Sequence, residues 1–182
     1  MARAIDTIRA EHEALDQVLS AMESALDELT GARSKPNLDL LYSAVYYIRV
    51  FPERQHHPKE EAFLFKALRR RRPESAPLLE ELESQHQEGA ALILALEEAL
   101  KAFDADYPEG LPRLREAAAR FIAFQRRHIG QEEREVIPLA RVALTSEDWR
   151  AIDLAFAGNS DPLFGENLAT GFRALHDRIT RR

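Results

Sequence analysis

The order of hydrophobic and polar positions along the chain predicts four long amphipathic helices. In the first helix apolar residues recur every three or four positions, which is the period of a helix with one buried face. The predicted segments are about Ala4 to Leu29, Leu38 to Arg71, Ser75 to Asp104 and Leu111 to Leu144. Pro52 and Pro58 lie inside the second segment, which we predict to be one bent helix because its apolar positions keep phase across both prolines.

Short connections between these helices determine the predicted fold class. Loops of about five to ten residues favour antiparallel neighbours, so we predict an all-α fold: an up-down-up-down antiparallel four-helix bundle over residues 1–144. Gly31 is predicted to end the first helix. Residues 145–182 are predicted to form a helical extension packed on the bundle. Thr145 or Ser146 is expected to cap its short first helix, and its last helix is expected to begin at Gly165 or Glu166.

The second and fourth helices contain variants of one phrase, QHHPKEEAFLF and RHIGQEEREVIP. Alignment on the Glu-Glu pairs places His56 on His128 and Glu60 on Glu132. Residues four apart lie on the same face of a helix, so each phrase presents an imidazole and a carboxylate in one direction. These donors suit iron, manganese or zinc, and a carboxylate has two oxygens with which to bridge two ions.

Each long helix also carries one histidine within its apolar stripe. With a rise of ~1.5 Å per residue, His12 and His86 lie about eight and eleven residues from their helix starts, and His56 and His128 about eighteen and seventeen. In antiparallel helices about thirty residues long, all four histidines share one level of the bundle. The predicted metal ligands are therefore His12, His56, Glu60, His86, His128 and Glu132. A structural bundle whose histidines are hydrogen-bonded core residues is the alternative that spacing alone leaves open.

A second register is possible on the second helix, because His57 and Glu61 also stand four residues apart. Ile129 occupies the place of His57 in the fourth-helix phrase, so the internal match selects His56 and Glu60 instead. The remaining polar residues are expected to support the ligands or to face solvent: His57, Glu61, Glu133 and, on the surface of the extension, His176.

Composition excludes several classes of site. The chain has no cysteine, so disulfides, thiolate zinc sites, iron–sulfur clusters and a cysteine nucleophile are excluded. The net charge of −6 argues against nucleic acid as a partner. No segment has 18 uncharged apolar residues, and the first residues lack the apolar core of a signal peptide, so we expect a cytoplasmic protein without a membrane span. The H-E-x-x-H, G-x-S-x-G and P-loop motifs are absent.

These motifs resemble the hemerythrin HHE cation-binding family over roughly residues 4–143. The resemblance rests on His12, HHPKEE, His86 and HIGQEE followed by Pro138. It implies a non-haem centre of two iron ions, with manganese or zinc as possible substitutes. The four histidines would be terminal ligands, and Glu60 and Glu132 would bridge the ions.

The resemblance departs from the oxygen-carrying members of the family at one position. Those members place a second histidine one turn after the third-helix histidine, where this chain has Ala90. The four-histidine pattern is similar to members that are linked to repair of iron centres and to handling of nitric oxide.

We therefore expect a di-iron protein that binds or senses a small ligand such as oxygen, nitric oxide or peroxide, or that handles iron under oxidative or nitrosative stress. The alternatives are a di-iron oxidase or peroxidase and an iron-centre repair protein, so whether the protein is an enzyme stays open. A buried tyrosine beside the site would favour the oxidase or peroxidase, and Tyr42 is the best-placed candidate.

Overall fold

The chain folds into four long helices followed by two shorter ones, within the residues that a computed structural model describes: 3–29, 35–164 and 170–180. Helices α1 and α3 are Arg3–Glu28 and Ala76–Ala105. Helix α2 joins α-helical Asp39–Val50, His57–Lys59 and Lys66–Arg71 through π-helical Pro52–His56 and Glu60–Phe65. Helix α4 joins Leu111–Gln131, π-helical Glu132–Val136 and Ile137–Ala143. Helices α5 and α6 are Ser146–Phe156 and Arg173–Thr180.

Consecutive helices of the bundle are neighbours in space. Helix α1 packs on α2, α2 on α3, and α3 on α4, and α4 closes the bundle against α1. This is the predicted all-α up-down-up-down arrangement, and no strand occurs among the described residues. None of the helices in that part of the chain combines the length and the apolar character that crossing a membrane requires. Gly31, the predicted end of the first helix, lies outside the described residues.

Helix α2 continues through both of its prolines, as predicted, by changing its hydrogen-bond pattern. A proline cannot donate to the carbonyl four residues before it, which interrupts an α-helical ladder. Around Pro52 the N–H groups of Gln55 and His56 both donate to the carbonyl of Phe51, at 2.9 and 3.2 Å. The N–H of His57 donates to the carbonyl five residues earlier. The wider π-helical turns therefore accommodate the prolines at the place where this helix carries its polar phrase.

The apolar core is divided into two clusters, one on each side of the level of polar residues predicted from the sequence. On α1 the two clusters are reached by Ile8 and Leu15, which flank His12. On α2 they are reached by Phe51 and Leu64, which flank the polar phrase. Every bundle helix therefore crosses from one apolar cluster to the other through a short buried polar segment.

The residues after the bundle are attached to it by specific contacts. Thr145 and Asp148 form a reciprocal capping box at the start of α5, which confirms the predicted cap. The Asp148 carboxylate also accepts hydrogen bonds from Arg70 and Arg71 at the end of α2. The predicted start of the last helix lies outside the described residues, but Phe172 and the α6 residue Leu175 are buried in the larger apolar cluster.

Replacing Asp148 with asparagine should lower the free energy of unfolding by about 1–2 kcal/mol at neutral pH, because the cap and both arginine contacts weaken. The hydrogen bond from Arg71, above all, holds the pKa of the Asp148 carboxyl well below its ordinary value of 3.8. Its contribution is therefore complete above that value and is lost as pH falls below it. Urea unfolding of the wild type and Asp148→Asn should show a stability difference that narrows below this pH.

Glu147→Gln is the matched control for this measurement, because Glu147 is exposed on the same helical turn. We expect this variant to unfold like the wild type. Equal stability of Asp148→Asn and the wild type at neutral pH would contradict the proposed anchoring of α5.

Candidate metal centre

The six residues predicted as ligands meet at one level in the interior of the bundle. All six are nearly inaccessible to solvent, with relative exposures of 5% or less. Helix α1 supplies His12, α2 supplies His56 and Glu60, α3 supplies His86, and α4 supplies His128 and Glu132. His56 Nε2 lies 3.3 Å from Glu60 Oε1, and His12 Nε2 lies 3.3 Å from Glu132 Oε2.

The structure brings a seventh residue, His57, to this cluster. His57 was expected to support the ligands or to face solvent, and its burial excludes the second of these roles. The His57 side chain is buried, and its ring stacks on that of His86 with centroids 4.2 Å apart. His57, His86 and His128 each place a ring nitrogen within 4.8 Å of the others. The internal match of His57 to Ile129 does not reveal this position, because the π-helical segment ending at His56 changes the angle at which the following residue leaves the helix.

The seven side chains form two adjoining groups of donor atoms. One group consists of His12, His56, Glu60 and Glu132, and the other consists of His57, His86 and His128. The two carboxylates face both groups: Glu60 Oε2 lies 3.7 Å from His86 Nε2, and Glu132 Oε2 lies 3.5 Å from His128 Nε2. The arrangement therefore has two neighbouring groups of side chains that could hold a metal ion, with two histidines in one, three in the other and two carboxylates that face both.

The distances between the donor atoms suit a shared metal ion better than direct hydrogen bonds. Nε2 of His12, His86 and His128 and both carboxylate oxygens of Glu132 are buried without a hydrogen-bond partner. The separations of 3.3 to 3.8 Å exceed the roughly 2.7–2.9 Å of a charged hydrogen bond. Two atoms that each lie about 2.0–2.2 Å from one ion are themselves about 3 to 4 Å apart. The cluster therefore has the composition and the spacing of ligands that share cations.

The other ring nitrogen of four histidines is held by an oxygen from a neighbouring helix. These contacts form a closed cycle around the bundle, because each helix supports the histidine of the next. The Nδ1 atoms of His12, His56, His86 and His128 contact Glu133 at 3.1 Å, Glu11 at 2.6 Å, Glu61 at 2.7 Å and Gln85 at 2.9 Å, respectively. Because each acceptor is an oxygen, Nδ1 donates the proton and Nε2 keeps its lone pair for a cation.

Each supporting residue in this cycle is adjacent in sequence to a residue of the donor cluster. Glu11 precedes His12, Glu61 follows Glu60, Gln85 precedes His86, and Glu133 follows Glu132. Adjacent positions leave a helix at different angles, so one of the two faces the interior and the other faces the neighbouring helix. The repeated Glu-Glu pairs carried a sequence signal for this pairing, and Glu61 and Glu133 contact the histidines in the expected supporting role while their side chains stay partly exposed.

The carboxylates beside the histidines change the proton affinity of the imidazoles. Burial opposes protonation of His12, but the nearby Glu132 carboxylate and the hydrogen bond with Glu133 outweigh it and raise the pKa of the imidazole to about 9. For His86 burial is likewise outweighed, by Glu132 and Glu60, and the pKa again rises to about 9. Imidazolium charges therefore balance the two buried carboxylates when no cation lies between them.

His57 and His128 behave in the opposite way. Burial, followed by the charge of His86, lowers the pKa of His57 well below its usual value. Burial also lowers the pKa of His128, whose Nδ1 is supported by the neutral amide of Gln85 rather than by a carboxylate. Both rings are therefore neutral at physiological pH and offer a lone pair without first losing a proton.

The side of the cluster next to His57 is polar. Glu53 Oε1 lies 3.7 Å from His57 Nδ1, and burial raises the pKa of the Glu53 carboxyl to about 7. The amide nitrogen and oxygen of Gln125 are buried nearby without a hydrogen-bond partner. A Cβ atom added to Gly89 would lie 3.4 Å from the Gln125 amide nitrogen and 3.8 Å from Glu53 Oε1. The absence of a side chain at Gly89 thus leaves room for both polar groups.

The cluster also adjoins a cavity of about 10 Å³, roughly the space that one water molecule needs. Five of its lining residues belong to the donor cluster. The remaining wall is mainly apolar and is formed by Leu15, Phe51, Pro52 and Ile129, together with Glu11.

Tyr42 does not reach the cluster, so it gives no support to an oxidase or peroxidase. Its hydroxyl donates to Asp104 Oδ2 at 3.0 Å, near the end of α3. Asp104 stands eighteen residues after His86 on that helix, which corresponds to ~27 Å along the axis. His176 is also outside the cluster, as predicted, and lies 3.8 Å from Asp177.

Comparison with known families agrees with this geometry. Residues 3–140 match the hemerythrin HHE cation binding domain, a segment that contains all seven residues of the donor cluster. Comparisons with curated proteins and with solved structures found no match. Because the family match covers most of the chain and includes a buried His/Glu cluster, the chain belongs to the hemerythrin HHE cation-binding domain family.

Proposed function

We propose that this protein binds two iron ions in a non-haem centre and uses that centre to bind or sense a small ligand such as oxygen, nitric oxide or peroxide. The observation that carries the proposal is the set of inward-facing imidazole nitrogens and carboxylate oxygens that are buried without hydrogen-bond partners. Burying such groups without a cation to contact them would cost several kcal/mol of folding free energy.

Iron is the proposed metal because the donor set contains only imidazole nitrogen and carboxylate oxygen, and because the family description is that of a hemerythrin domain. Manganese and zinc accept the same donors and are the competing ions. In this proposal His12 and His56 would hold one ion, His57, His86 and His128 would hold the other, and Glu60 and Glu132 would contribute oxygens to both.

The three histidines of the second group change the comparison with oxygen-carrying hemerythrins. This chain has Ala90 where those members have a second third-helix histidine, but His57 brings another imidazole to the same cluster from α2. The proposed centre thus has five histidines rather than the four predicted from the sequence. Five histidines support small-ligand binding. The four-histidine pattern alone did not favour small-ligand binding over iron-centre repair.

Bound iron supplies Lewis acidity and one-electron redox capacity. The protein side chains supply the remaining requirements. The supporting oxygens fix the histidine tautomers, and the apolar wall of Leu15, Phe51 and Ile129 excludes water from one side of the cluster. A cavity of about 10 Å³ favours ligands of two or three atoms over larger molecules. These properties support a sensor, a store or a stress protein rather than an enzyme acting on an organic substrate.

Replacing individual side chains of the cluster with alanine should show which of them bind metal. Anaerobic loading with iron(II) should give about two ions per wild-type chain. His57→Ala should retain about one, because only the three-histidine position loses a ligand. Glu132→Ala should retain fewer than one, because the carboxylate faces both positions. Iron per folded chain, measured by elemental analysis after gel filtration, checks these values.

His176→Ala serves as the control, because His176 is a histidine outside the cluster. It should bind as much iron as the wild type. A His57→Ala variant that still bound two ions would contradict the assignment of His57 as a ligand, and a wild type that bound none would contradict the proposed function.

Filling the cavity should impair ligand binding without removing metal. Leu15→Phe adds volume to the apolar wall and should weaken nitric oxide binding to the iron(II) protein by at least about 10-fold. Optical titration under nitrogen measures the affinity, and elemental analysis verifies that the iron content is unchanged. Leu94→Phe, at a position that is 48% exposed, controls for the added ring. Equal affinities in the two variants would show that ligands approach from another side.

A further inference from the structure

We infer that Asn159 is a positioning residue of the metal centre, so that the segment after the family domain completes the site. This inference rests on the proposed metal binding. Asn159 lies outside the matched residues 3–140, in the turn that follows α5. Its amide nitrogen donates to Glu11 Oε1 at 2.6 Å. Glu11 Oε2 accepts from His56 Nδ1, also at 2.6 Å. One carboxylate therefore connects the turn directly to a predicted metal ligand.

The orientation of the Asn159 amide is fixed by chemistry on both sides. Lys59 contacts the amide oxygen and can only donate, whereas the Glu11 carboxylate can only accept. The amide nitrogen must therefore face Glu11. Glu11 is about 9% exposed, so few water molecules can replace this hydrogen bond.

Other contacts hold the same turn against the bundle. The ring of Phe156, at the end of α5, meets the ring of His56 edge-on with centroids 6.2 Å apart. The hydroxyl of Tyr47 on α2 donates to Asp161 Oδ2 at 2.9 Å. The segment after the family domain therefore contacts His56 both directly, through Phe156, and indirectly, through Glu11.

Glu11 also separates two spaces. It lines the small cavity beside the donor cluster, and it lines a larger open groove whose other residues include Asn159, Asp161 and Phe164. By holding Glu11 against His56, Asn159 keeps this wall in place. Loss of the Asn159 hydrogen bond should thus both loosen His56 and open the cluster toward the groove.

The test compares wild-type protein with Asn159→Asp, Asn159→Ala and Ser160→Ala, all as full chains loaded with zinc, which is diamagnetic. Asn159→Asp keeps the shape and the Lys59 contact but cannot donate to Glu11. We expect it to lower the affinity for one of the two zinc ions by roughly 10-fold, the lower end of the effect of removing a group that supports a ligand. Asn159→Ala should act in the same direction. Ser160→Ala, at an exposed neighbouring position, should match the wild type.

Nuclear magnetic resonance of the imidazole N–H groups supplies a site-specific readout. The His56 Nδ1–H signal should shift and broaden in Asn159→Asp, whereas the His86 signal, supported by Glu61, should not change. A general loss of structure would alter both signals. Unchanged zinc affinity and an unchanged His56 signal in both Asn159 variants would overturn the inference. A wild type that bound no zinc or iron would instead overturn the proposed function.

Discussion

Burial of the Glu60 and Glu132 carboxylates at one level of the bundle is the constraint on which the rest of the structure depends. Each carboxylate lies within 4.0 Å of imidazole nitrogens from three helices, and His12 and His86 contact both. Isolated carboxylates at such positions would cost several kcal/mol. Because the compensating groups come from all four helices, this polar layer fixes the helices relative to one another, while the apolar clusters on either side supply most of the buried area.

The buried carboxylates of the two repeated sequence phrases lie at the same kind of backbone feature, a π-helical segment. Both Glu60 and Glu132, which are aligned in sequence, begin π-helical segments, Glu60–Phe65 and Glu132–Val136. Segments of this kind are rare and concentrate at functional sites. In α2 a further π-helical segment, Pro52–His56, ends within the phrase and places His57 inward beside His56. The two halves of the site therefore share a π-helical segment, but α2 contributes one more imidazole than α4, which makes the two groups of donor atoms unequal.

Much of this arrangement could be predicted from the sequence, for identifiable reasons. Apolar periodicity defined four long helices, and equal distances along them brought His12, Glu132 and the other predicted residues to one level. The position of His57 beside the other histidines was not predicted, because the internal match to Ile129 carries no information about the π-helical segment that ends at His56. The supports such as Glu11 were not identified, since spacing along one helix does not show which group on another helix reaches an imidazole. The role of Asn159 could not be predicted from the sequence, because it depends on how the chain folds back after α5.

Anomalous diffraction at the iron absorption edge, from crystals grown after anaerobic iron loading, tests the central claim most directly. The account predicts two anomalous peaks between the bundle helices, one beside His12 and His56 and the other beside His57, His86 and His128, with Glu60 and Glu132 between them. A single peak, peaks confined to the protein surface, or carboxylates turned away from the metal would contradict it.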